Sequence, residues 1–254
     1  MQWANLFNEH NVVSFLLLFF RFAALFIATP IFSHKNIPMN IKSAMAFVFT
    51  IVFYSAAPPL QISIDLPTIA IAILSEFMFG IIVGLIIQIS YNVITFAGGI
   101  ISFQMGFSMA SAIDPQSGIS MPIISQFLSL LGLMILFALD LHHWLILFVE
   151  ASLHKIPLGG FVMSQNIFDY TIKATTNMFL VGLTISFPII ALAWLSDVIF
   201  GMLMKTMPQF NILVIGFPIK IFLSFGVLIA ILTAVMLILK GEVQHAFNSL
   251  EILF

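Results

Sequence analysis

Long stretches of uninterrupted apolar residues recur along this chain of 254 residues and limit its fold more than any other feature. A helix needs about 20 mainly apolar residues to cross a hydrocarbon core of about 30 Å. Six segments approach or exceed that length, namely 11–32, 41–59, 67–103, 122–149, 175–204 and 213–240. Strands of a membrane barrel would alternate apolar with polar residues, whereas a stretch such as 228–239 does not. The sequence therefore predicts an all-α membrane protein with about six long, kinked hydrophobic helices.

Charged residues are too few to coat a soluble globule of this size. The chain has 8 Lys and Arg and 10 Asp and Glu, and its net charge is −2. A nucleic-acid-binding surface needs several Lys or Arg on one face, and the sequence has no such basic cluster. Because the chain has no cysteine, disulfides and thiolate chemistry are excluded. Most of the surface is expected to contact lipid or other apolar protein.

The third apolar segment is too long for a single straight crossing. At 1.5 Å per residue, 67–103 would extend about 50 Å, so we expect it to tilt, to break or to leave the bilayer. Gly98 and Gly99 offer a break near its end. Gly80 and Gly84 form a small-xxx-small pattern. That pattern predicts close packing of another helix, unless these are simply two glycines in an ordinary apolar helix.

Four ionisable residues lie inside apolar runs: Arg21, Glu76, Asp197 and Lys220. A charge at the centre of a membrane helix costs about 2.5 to 3.5 kcal/mol on insertion scales, so such residues usually face a bundle interior, a water-filled cavity or a partner chain. Their signs balance, which favours ion pairing within the chain. Two alternatives stay open: contacts with partner subunits, and a proton or ion pathway like that of a stand-alone proton-coupled secondary transporter.

Two prolines, Pro188 and Pro218, interrupt the last two apolar segments, and each lies near a charged residue. Broken helices line substrate sites in transporters, but proline kinks also occur in membrane helices whose freed carbonyls bond to neighbours. Plain kinks are the favoured interpretation. The longest plainly polar connection, 161–173, precedes both segments.

No constellation of catalytic residues is apparent, and the chain is expected not to be an enzyme. It has no phosphate-binding GxxxxGK motif and no Gly-x-Ser-x-Gly elbow. His142 and His143 are adjacent rather than spaced to share a helix face, so neither a metal site nor any other cofactor is predicted. Asp140 and His143, three residues apart, could form a hydrogen-bonded pair.

The connection 102–122 is the most informative stretch of the sequence. It is rich in small residues, Gly and Met, and Asp114 is its only charged residue. Met105, Phe107 and Met109 are large, adaptable apolar groups, and an uncharged apolar ring can close a conduit by excluding water. The alternative is an interfacial or re-entrant loop that packs against its own helices.

Several motifs, in order and spacing, resemble the FliR family of flagellar type III export-gate membrane proteins. They are Arg21 followed by Thr-Pro-Ile-Phe at 29–32 and Ile-Pro at 37–38, Glu76 with Gly80 and Gly84, Gln-Met-Gly at 104–106, Asp-Pro-Gln-Ser-Gly at 114–118, Leu-Asp-Leu-His-His at 139–143, and the run Pro-Gln-Phe-Asn-Ile-Leu-Val-Ile-Gly-Phe-Pro-Ile-Lys at 208–220. The resemblance runs nearly end to end. One departure is Leu141, where flagellar relatives often have Gly before the His pair, and we expect this residue to alter local helix packing.

The resemblance implies a role without catalysis or cofactor. FliR-like proteins join FliP and FliQ in a helical gate complex, docked to FlhB and FlhA, through which unfolded flagellar subunits leave the cytoplasm. By this resemblance, residues 1–174 would be FliP-like and residues 175–254 a FliQ-like helix hairpin of one integral membrane domain. The complex would belong to the flagellar basal body at the bacterial inner membrane and protrude toward the periplasm. This arrangement differs from six simple crossings, and we adopt it as the expectation.

Carried onto this chain, the resemblance assigns roles to three groups of residues. The loop 106–122 would plug the resting channel, with Met105, Gly106, Phe107, Met109, Asp114 and Pro115 as plug or gate residues. The tip of the cytoplasmic hairpin, beside FlhB, would be formed by Pro208, Gln209, Asn211, Gly216 and Pro218. Arg21, Glu76, Asp197 and Lys220 would lie at helix interfaces, paired within the chain or across subunits.

Overall fold

The structure is a computed structural model that describes residues 8–33, 37–60, 62–107, 122–207 and 211–254. Seven α-helices lie in these ranges: α1 (Glu9–Ala28), α2 (Met39–Phe53), α3 (Leu66–Gln104), α4 (Ile123–Ala138), α5 (Leu141–Lys155), α6 (Gln165–Thr206) and α7 (Phe217–Leu253). A 3-10 turn, Tyr54–Ala56, follows α2, and a π-helical turn, Ile212–Gly216, precedes α7. No strand occurs within the described ranges. The predicted all-α class is confirmed.

Five of the helices, the second taken with its 3-10 turn, are long and apolar enough to cross a membrane, and α4 with α5 would supply a sixth span if the two are counted together. The predicted set of about six segments is therefore close to the observed one. Its boundaries were wrong in two places. The fourth segment, 122–149, breaks after Ala138 because Asp140 adopts a left-handed backbone conformation with φ 54°. The polar stretch 161–173 is partly helical, since α6 begins at Gln165 behind Ser164, whose hydroxyl accepts the Ile167 amide at 3.4 Å.

The expected break at Gly98 and Gly99 is also wrong, because α3 continues as one helix to Gln104. Gly98 is instead a packing position. A Cβ there would lie 2.5 Å from Ser125 Cα on α4, whereas a Cβ on Gly99 would meet nothing within 4 Å. The Ser125 hydroxyl donates to the Thr95 carbonyl at 2.7 Å. At 39 residues, α3 extends about 58 Å.

The two internal prolines differ in their effect. Pro188 lies inside α6, and the helix is continuous on both sides of it. Pro218 is the second residue of α7 and follows the π-helical turn. A proline is tolerated in the first turn of a helix because the amide it lacks would have no intrahelical acceptor there. Pro218 therefore marks the start of a helix rather than a break inside one.

The residues directly after α1 and after α3 explain where each of these helices ends. Helix α1 stops before Thr29, whose backbone is extended with ψ 140°, as expected for a residue that precedes a proline. Helix α3 ends in a Schellman arrangement. The Gly106 amide donates to the Phe103 carbonyl at 3.0 Å, the Phe107 amide donates to the Ser102 carbonyl at 3.1 Å, and Gly106 has φ 90°. The glycine of the Gln-Met-Gly motif thus terminates the long helix.

The chain divides into two compact units. Unit 1 comprises residues within 1–90, 136–174 and 243–254, and unit 2 comprises residues within 91–135 and 175–242. In unit 1, phenylalanines of α1 and α2 pack together, with Phe26 and Phe49 ring centroids 5.3 Å apart. In unit 2, the Tyr91 hydroxyl of α3 donates to the Ser129 carbonyl of α4 at 2.6 Å. The division into a FliP-like part and a FliQ-like hairpin remains a prediction.

Candidate functional site

Arg21 and Glu76 form a fully buried ion pair in unit 1, between α1 and α3. Both side chains are 0% exposed. The guanidinium donates through Nε to Glu76 Oε2 and through Nη2 to Oε1, the latter at 3.0 Å. Two parallel bonds of this kind match the fork of the guanidinium to the carboxylate and are among the strongest polar contacts in proteins.

Further hydrogen bonds to this pair come from the end of α5 and the turn after it. Arg21 Nη1 donates to Ser152 Oγ, and Nη2 donates to the Ile156 carbonyl, both at 3.3 Å. The Gly159 amide donates to Glu76 Oε1 at 2.6 Å. Arg21 Cζ also lies 4.6 Å from the centroid of the Phe79 ring, in a cation–π contact. The pair and these contacts, called the Arg21 network below, join three segments of unit 1.

Gly159 can reach the carboxylate because its backbone is left-handed, with φ 78°. Glycine adopts this conformation without a steric penalty. A Cβ at this position would also lie 2.9 Å from Ala72 Cβ on α3. The sequence reasoning missed Ser152, Ile156, Gly159 and Phe79. The signal available was the motif Ile-Pro-Leu-Gly at 156–159, which marks a tight turn but does not name its target.

Close contact between α1 and α3 sets the geometry of the Arg21 network. A Cβ on Gly80 would lie 2.7 Å from both the Arg21 carbonyl oxygen and Ala24 Cβ. A Cβ on Gly84 would overlap Ala28. The predicted role of this glycine pair in close helix packing is therefore confirmed, and the partner helix is α1. Because the backbones of α1 and α3 are in contact at Gly80, side chains of the two helices next to this contact lie close to each other.

Lys220 and Asp197 form the second ion pair, in unit 2, between α6 and α7. Lys220 Nζ donates to both carboxylate oxygens, at 2.8 and 2.9 Å. The Lys220 side chain is 9% exposed and that of Asp197 is 53% exposed. All four charges that the sequence singled out are thus paired within the chain, two by two.

The predicted plug residues fall partly within the described chain. Met105 is fully buried in unit 2. Gly106 lies beside the Phe217 ring, two of whose carbons would be 3.0 Å from a Cβ at that position. Phe107 makes an edge contact with Phe225, with ring centroids 6.1 Å apart. These contacts join the end of α3 to α7. Met109, Asp114 and Pro115 lie outside the described residues, so the plug assignment stays a prediction.

The predicted hairpin tip is also described only in part, because Pro208 and Gln209 lie outside the described residues. The Asn211 carbonyl accepts the amides of Val214 and Ile215 at 3.2 and 2.9 Å, which begins the π-helical turn that ends at Gly216. Pro218 follows in the first turn of α7. The position of this tip relative to a partner remains a prediction.

One further cluster lies at the start of α5. The ring centroids of His142 and His143 lie 4.2 Å apart, although adjacent residues of a helix point to different faces. Asp140 Oδ1 lies 3.5 Å from His143 Nδ1. One ligand atom from each of Asp140, His142 and His143 lies within 4.8 Å of the other two.

Comparison with known proteins places the chain in a family. The profile of the family described as "Bacterial export proteins, family 1" matches residues 12–246. The chain is 32% identical over 232 residues to the flagellar biosynthetic protein FliR of Bacillus subtilis (strain 168), which covers 90% of this chain and 89% of that protein. It is 31% identical over 246 residues to the flagellar biosynthetic protein FliR of Escherichia coli (strain K12), which covers 94% and 91%.

A more distant relative extends the match to almost the whole length. The flagellar biosynthetic protein FliR of Aquifex aeolicus (strain VF5) is 24% identical over 250 residues, which covers 96% of this chain and 95% of that protein. The three names describe flagellar assembly rather than an enzymatic reaction. Together with the apolar helices, these matches indicate an integral membrane protein of the flagellar export apparatus. The chain belongs to bacterial export proteins, family 1, the family of the flagellar biosynthetic protein FliR.

Proposed function

We propose that the chain is a core subunit of the flagellar type III export gate, in which it forms with FliP and FliQ the channel for unfolded flagellar subunits. The observation that carries this proposal is the family match over residues 12–246. In this proposal the complex is docked to FlhB and FlhA. It lies in the basal body at the bacterial inner membrane and protrudes on the periplasmic side.

The distribution of apolar surface supports a role in an assembly. Each long helix contains a most apolar stretch of 18 residues. That stretch is 50% buried within the chain in α1, 33% buried in α6 and only 17% buried in 214–253. Large apolar side chains are exposed on α6 and α7, including Phe187, Trp194, Leu195, Phe222, Ile229 and Leu237. Exposed apolar area of this extent needs cover from lipid or from protein. FliP and FliQ are the proposed protein cover.

The start of the proposed plug is supported by the end of α3. Gly106 turns the chain out of the helix, and the edge contact with Phe225 gives Phe107 a fixed neighbour on α7. Met105 is buried, so we assign it to anchoring this turn. Phe107 and Met109 remain the candidates for an apolar seal that closes the channel sterically and by dewetting.

The alternative is a stand-alone proton-coupled secondary transporter. This alternative was suggested by the four charged residues in apolar segments. Each of these charges has an opposite partner within hydrogen-bond distance. A carrier of protons needs at least one group that exchanges its proton with a pathway, and pairing of this kind gives the alternative no specific support.

The function is tested by deletion and by purification. A strain that lacks this chain should be non-motile and without filaments, and the tagged chain should recover FliP and FliQ from detergent extracts. A motile deletion strain would eliminate the proposal. The transporter alternative instead predicts substrate-coupled proton flux in liposomes that contain this chain alone.

The plug is tested separately on the assembled complex. Deletion of residues 107–117 should make the gate leak ions or small molecules, which membrane conductance and dye uptake would report. Complex yield must stay at the wild-type level for the comparison to hold. Unchanged conductance at equal yield would remove the plug assignment and leave membership of the gate intact.

A further inference from the structure

The break between α4 and α5 gathers three side chains that can bind a metal ion. Asp140 lies in the break, and His142 and His143 lie in the first turn of α5. One ligand atom from each side chain falls within 4.8 Å of the other two. This cluster, called the Asp140 cluster below, lies wholly in unit 1 and has no contact with the Arg21 network among the hydrogen bonds of the described residues.

The backbone at Asp140 makes this grouping. With φ 54° and ψ 28°, Asp140 lies two residues after the end of α4 and is the N-cap residue of α5. Its carbonyl accepts the amides of His143 and Trp144, at 2.9 and 3.3 Å, so the first turn of α5 starts directly on it. Its side chain makes no capping hydrogen bond, although a side-chain oxygen at this position commonly accepts one. The carboxylate is therefore not used to satisfy the helix end.

The distance between the Asp140 and His143 side chains fits two ligands of one metal ion better than it fits a direct hydrogen bond. Asp140 Oδ1 and His143 Nδ1 are 3.5 Å apart, whereas N–H···O bonds in proteins measure about 2.7 to 3.2 Å. Two ligand atoms of a tetrahedral zinc ion, each about 2.0 to 2.1 Å from the metal, lie about 3.4 Å from one another. The observed spacing matches this edge of a tetrahedron.

His142 adds an independent observation. Its Nδ1 is buried and has no hydrogen-bond partner among the described residues. Buried ring nitrogens normally have a partner. An imidazole that protein groups leave incompletely satisfied is what a metal ligand requires, because a ligating nitrogen must keep its lone pair free. The His142 ring also lies against the His143 ring, which keeps the two imidazoles at one place.

We propose that Asp140, His142 and His143 bind a divalent transition-metal ion of the zinc type, with the fourth position taken by water. Imidazole nitrogen and carboxylate oxygen are the ligands that Zn²⁺ accepts in three-residue sites with an open position. Two imidazoles select against Mg²⁺ and Ca²⁺, which prefer oxygen ligands. The carboxylate also offsets the positive end of the α5 dipole, which would otherwise repel a cation.

The site is accessible to an ion from solution. The Asp140 and His143 side chains are 69% and 65% exposed. A bound ion would tie the break between the helices to the first turn of α5 through three side chains. Binding needs no partner protein, so the proposal can be tested apart from secretion.

The test uses the full-length chain in detergent, purified without a polyhistidine tag. Equilibrium dialysis against Zn²⁺ followed by metal analysis should give one high-affinity ion per chain, and Mg²⁺ should not displace it. His143→Ala should weaken this binding at least tenfold. The matched control is His154→Ala, because His154 is an exposed histidine on the same helix, and this variant should bind as the wild type does.

Co²⁺ provides a second measurement that a folding defect cannot imitate. The wild-type chain should give the absorption spectrum of a low-symmetry Co²⁺ site with nitrogen ligands, and Asp140→Asn should change that spectrum while circular dichroism stays the same. Either of two results would overturn the proposal: a wild-type chain that binds no stoichiometric Zn²⁺, or a His143→Ala variant whose affinity equals that of His154→Ala.

Discussion

Two ion pairs, Arg21–Glu76 and Lys220–Asp197, each join one basic and one acidic residue but have very different surroundings. Arg21 and Glu76 are both 0% exposed and contact Ser152, Ile156 and Gly159 as well as each other. Lys220 is nearly buried, but its partner Asp197 is 53% exposed. The first pair is complete within the chain. In the second pair, the Asp197 carboxylate is exposed on an apolar helix, and surroundings of lipid alone would be unfavourable for its charge.

This difference separates two uses of a charge in a membrane protein. A fully buried pair cannot contact anything beyond its network, so its effect is to fix the arrangement of α1, α3 and the turn after α5. A pair with one open partner still has oxygen lone pairs available to another molecule. We therefore assign the Arg21 network to the fold of unit 1, and the Lys220–Asp197 pair to the proposed contacts with other gate subunits.

The largest expected effect comes from breaking the buried pair. Glu76→Ala would leave the Arg21 guanidinium buried without its counter-charge, and loss of one partner of a buried pair costs about 3 to 5 kcal/mol. The free energy of unfolding in detergent should fall by this amount, and the yield of folded chain should drop.

Because Glu76→Ala could fail to fold, the double variant Arg21→Met, Glu76→Leu serves as its control. Replacing both charges with apolar side chains removes the unpaired ion, so the double variant should be more stable than Glu76→Ala. If Glu76→Ala cost no more than Lys220→Ala, which leaves only the half-exposed Asp197 without its partner, the contrast between the two pairs would be wrong.

A smaller loss is expected from separating α1 and α3 beside the network. Gly80→Ala places a Cβ 2.7 Å from the Arg21 carbonyl oxygen and from Ala24 Cβ, and overpacking of this kind costs about 1 to 3 kcal/mol. Gly99→Ala is the matched control on the same helix, since a Cβ there meets nothing within 4 Å. Thermal unfolding should distinguish the two variants. Equal midpoints would show that the α1–α3 contact is not what sets the network.

The charges of both pairs could be recognised in the sequence, but the difference between the pairs could not. An ionisable residue in an apolar run stands out because it costs free energy there, and so all four were identified. Ser152 and Ile156 are 131 and 135 residues away from Arg21 along the chain. Their role depends on a meeting of α1 with the end of α5, which no local pattern encodes.

The same limit applies to the helix boundaries. Long apolar runs predicted most of the spans, because their length and composition are local properties. The break at Asp140 was missed, since an aspartate has no obligatory left-handed conformation. The helical start of α6 was missed because polar residues at a helix end look like a loop. Gly80 and Gly84 were recognised by their spacing, although the sequence could not name α1 as the partner.

The second ion pair should sharpen the comparison through assembly rather than stability. Lys220→Ala should lower the stability of the isolated chain by only about 1 kcal/mol, near the upper end for pairs that are partly solvated. If the open carboxylate takes part in contacts between subunits, the same variant should reduce the recovery of FliP and FliQ more strongly than Gly80→Ala does at equal expression. Normal complex yield and normal secretion would remove the proposed role of this pair.

The smallest effect is expected at the exposed start of α3, the helix that carries Glu76. Asp65 caps this helix: its carboxylate accepts the Thr68 amide at 3.3 Å and the Thr68 hydroxyl at 2.8 Å. Hydrogen bonds from Ser63 and Thr68 hold the pKa of Asp65 below its ordinary value of 3.8. A lowered pKa means that the carboxylate stabilises the fold at pH values above that ordinary value. This contribution is lost as the pH falls through the folded-state pKa.

Asp65→Ala should therefore lower the thermal midpoint slightly at neutral pH, and the difference from the wild type should shrink in acid. Asp65→Asn keeps a capping oxygen, so its thermal midpoint should fall less. A deficit for Asp65→Ala as large as that for Gly80→Ala would mean that the exposed end of α3 matters as much as its buried contact with α1, and the distinction between the network and its surroundings would fail.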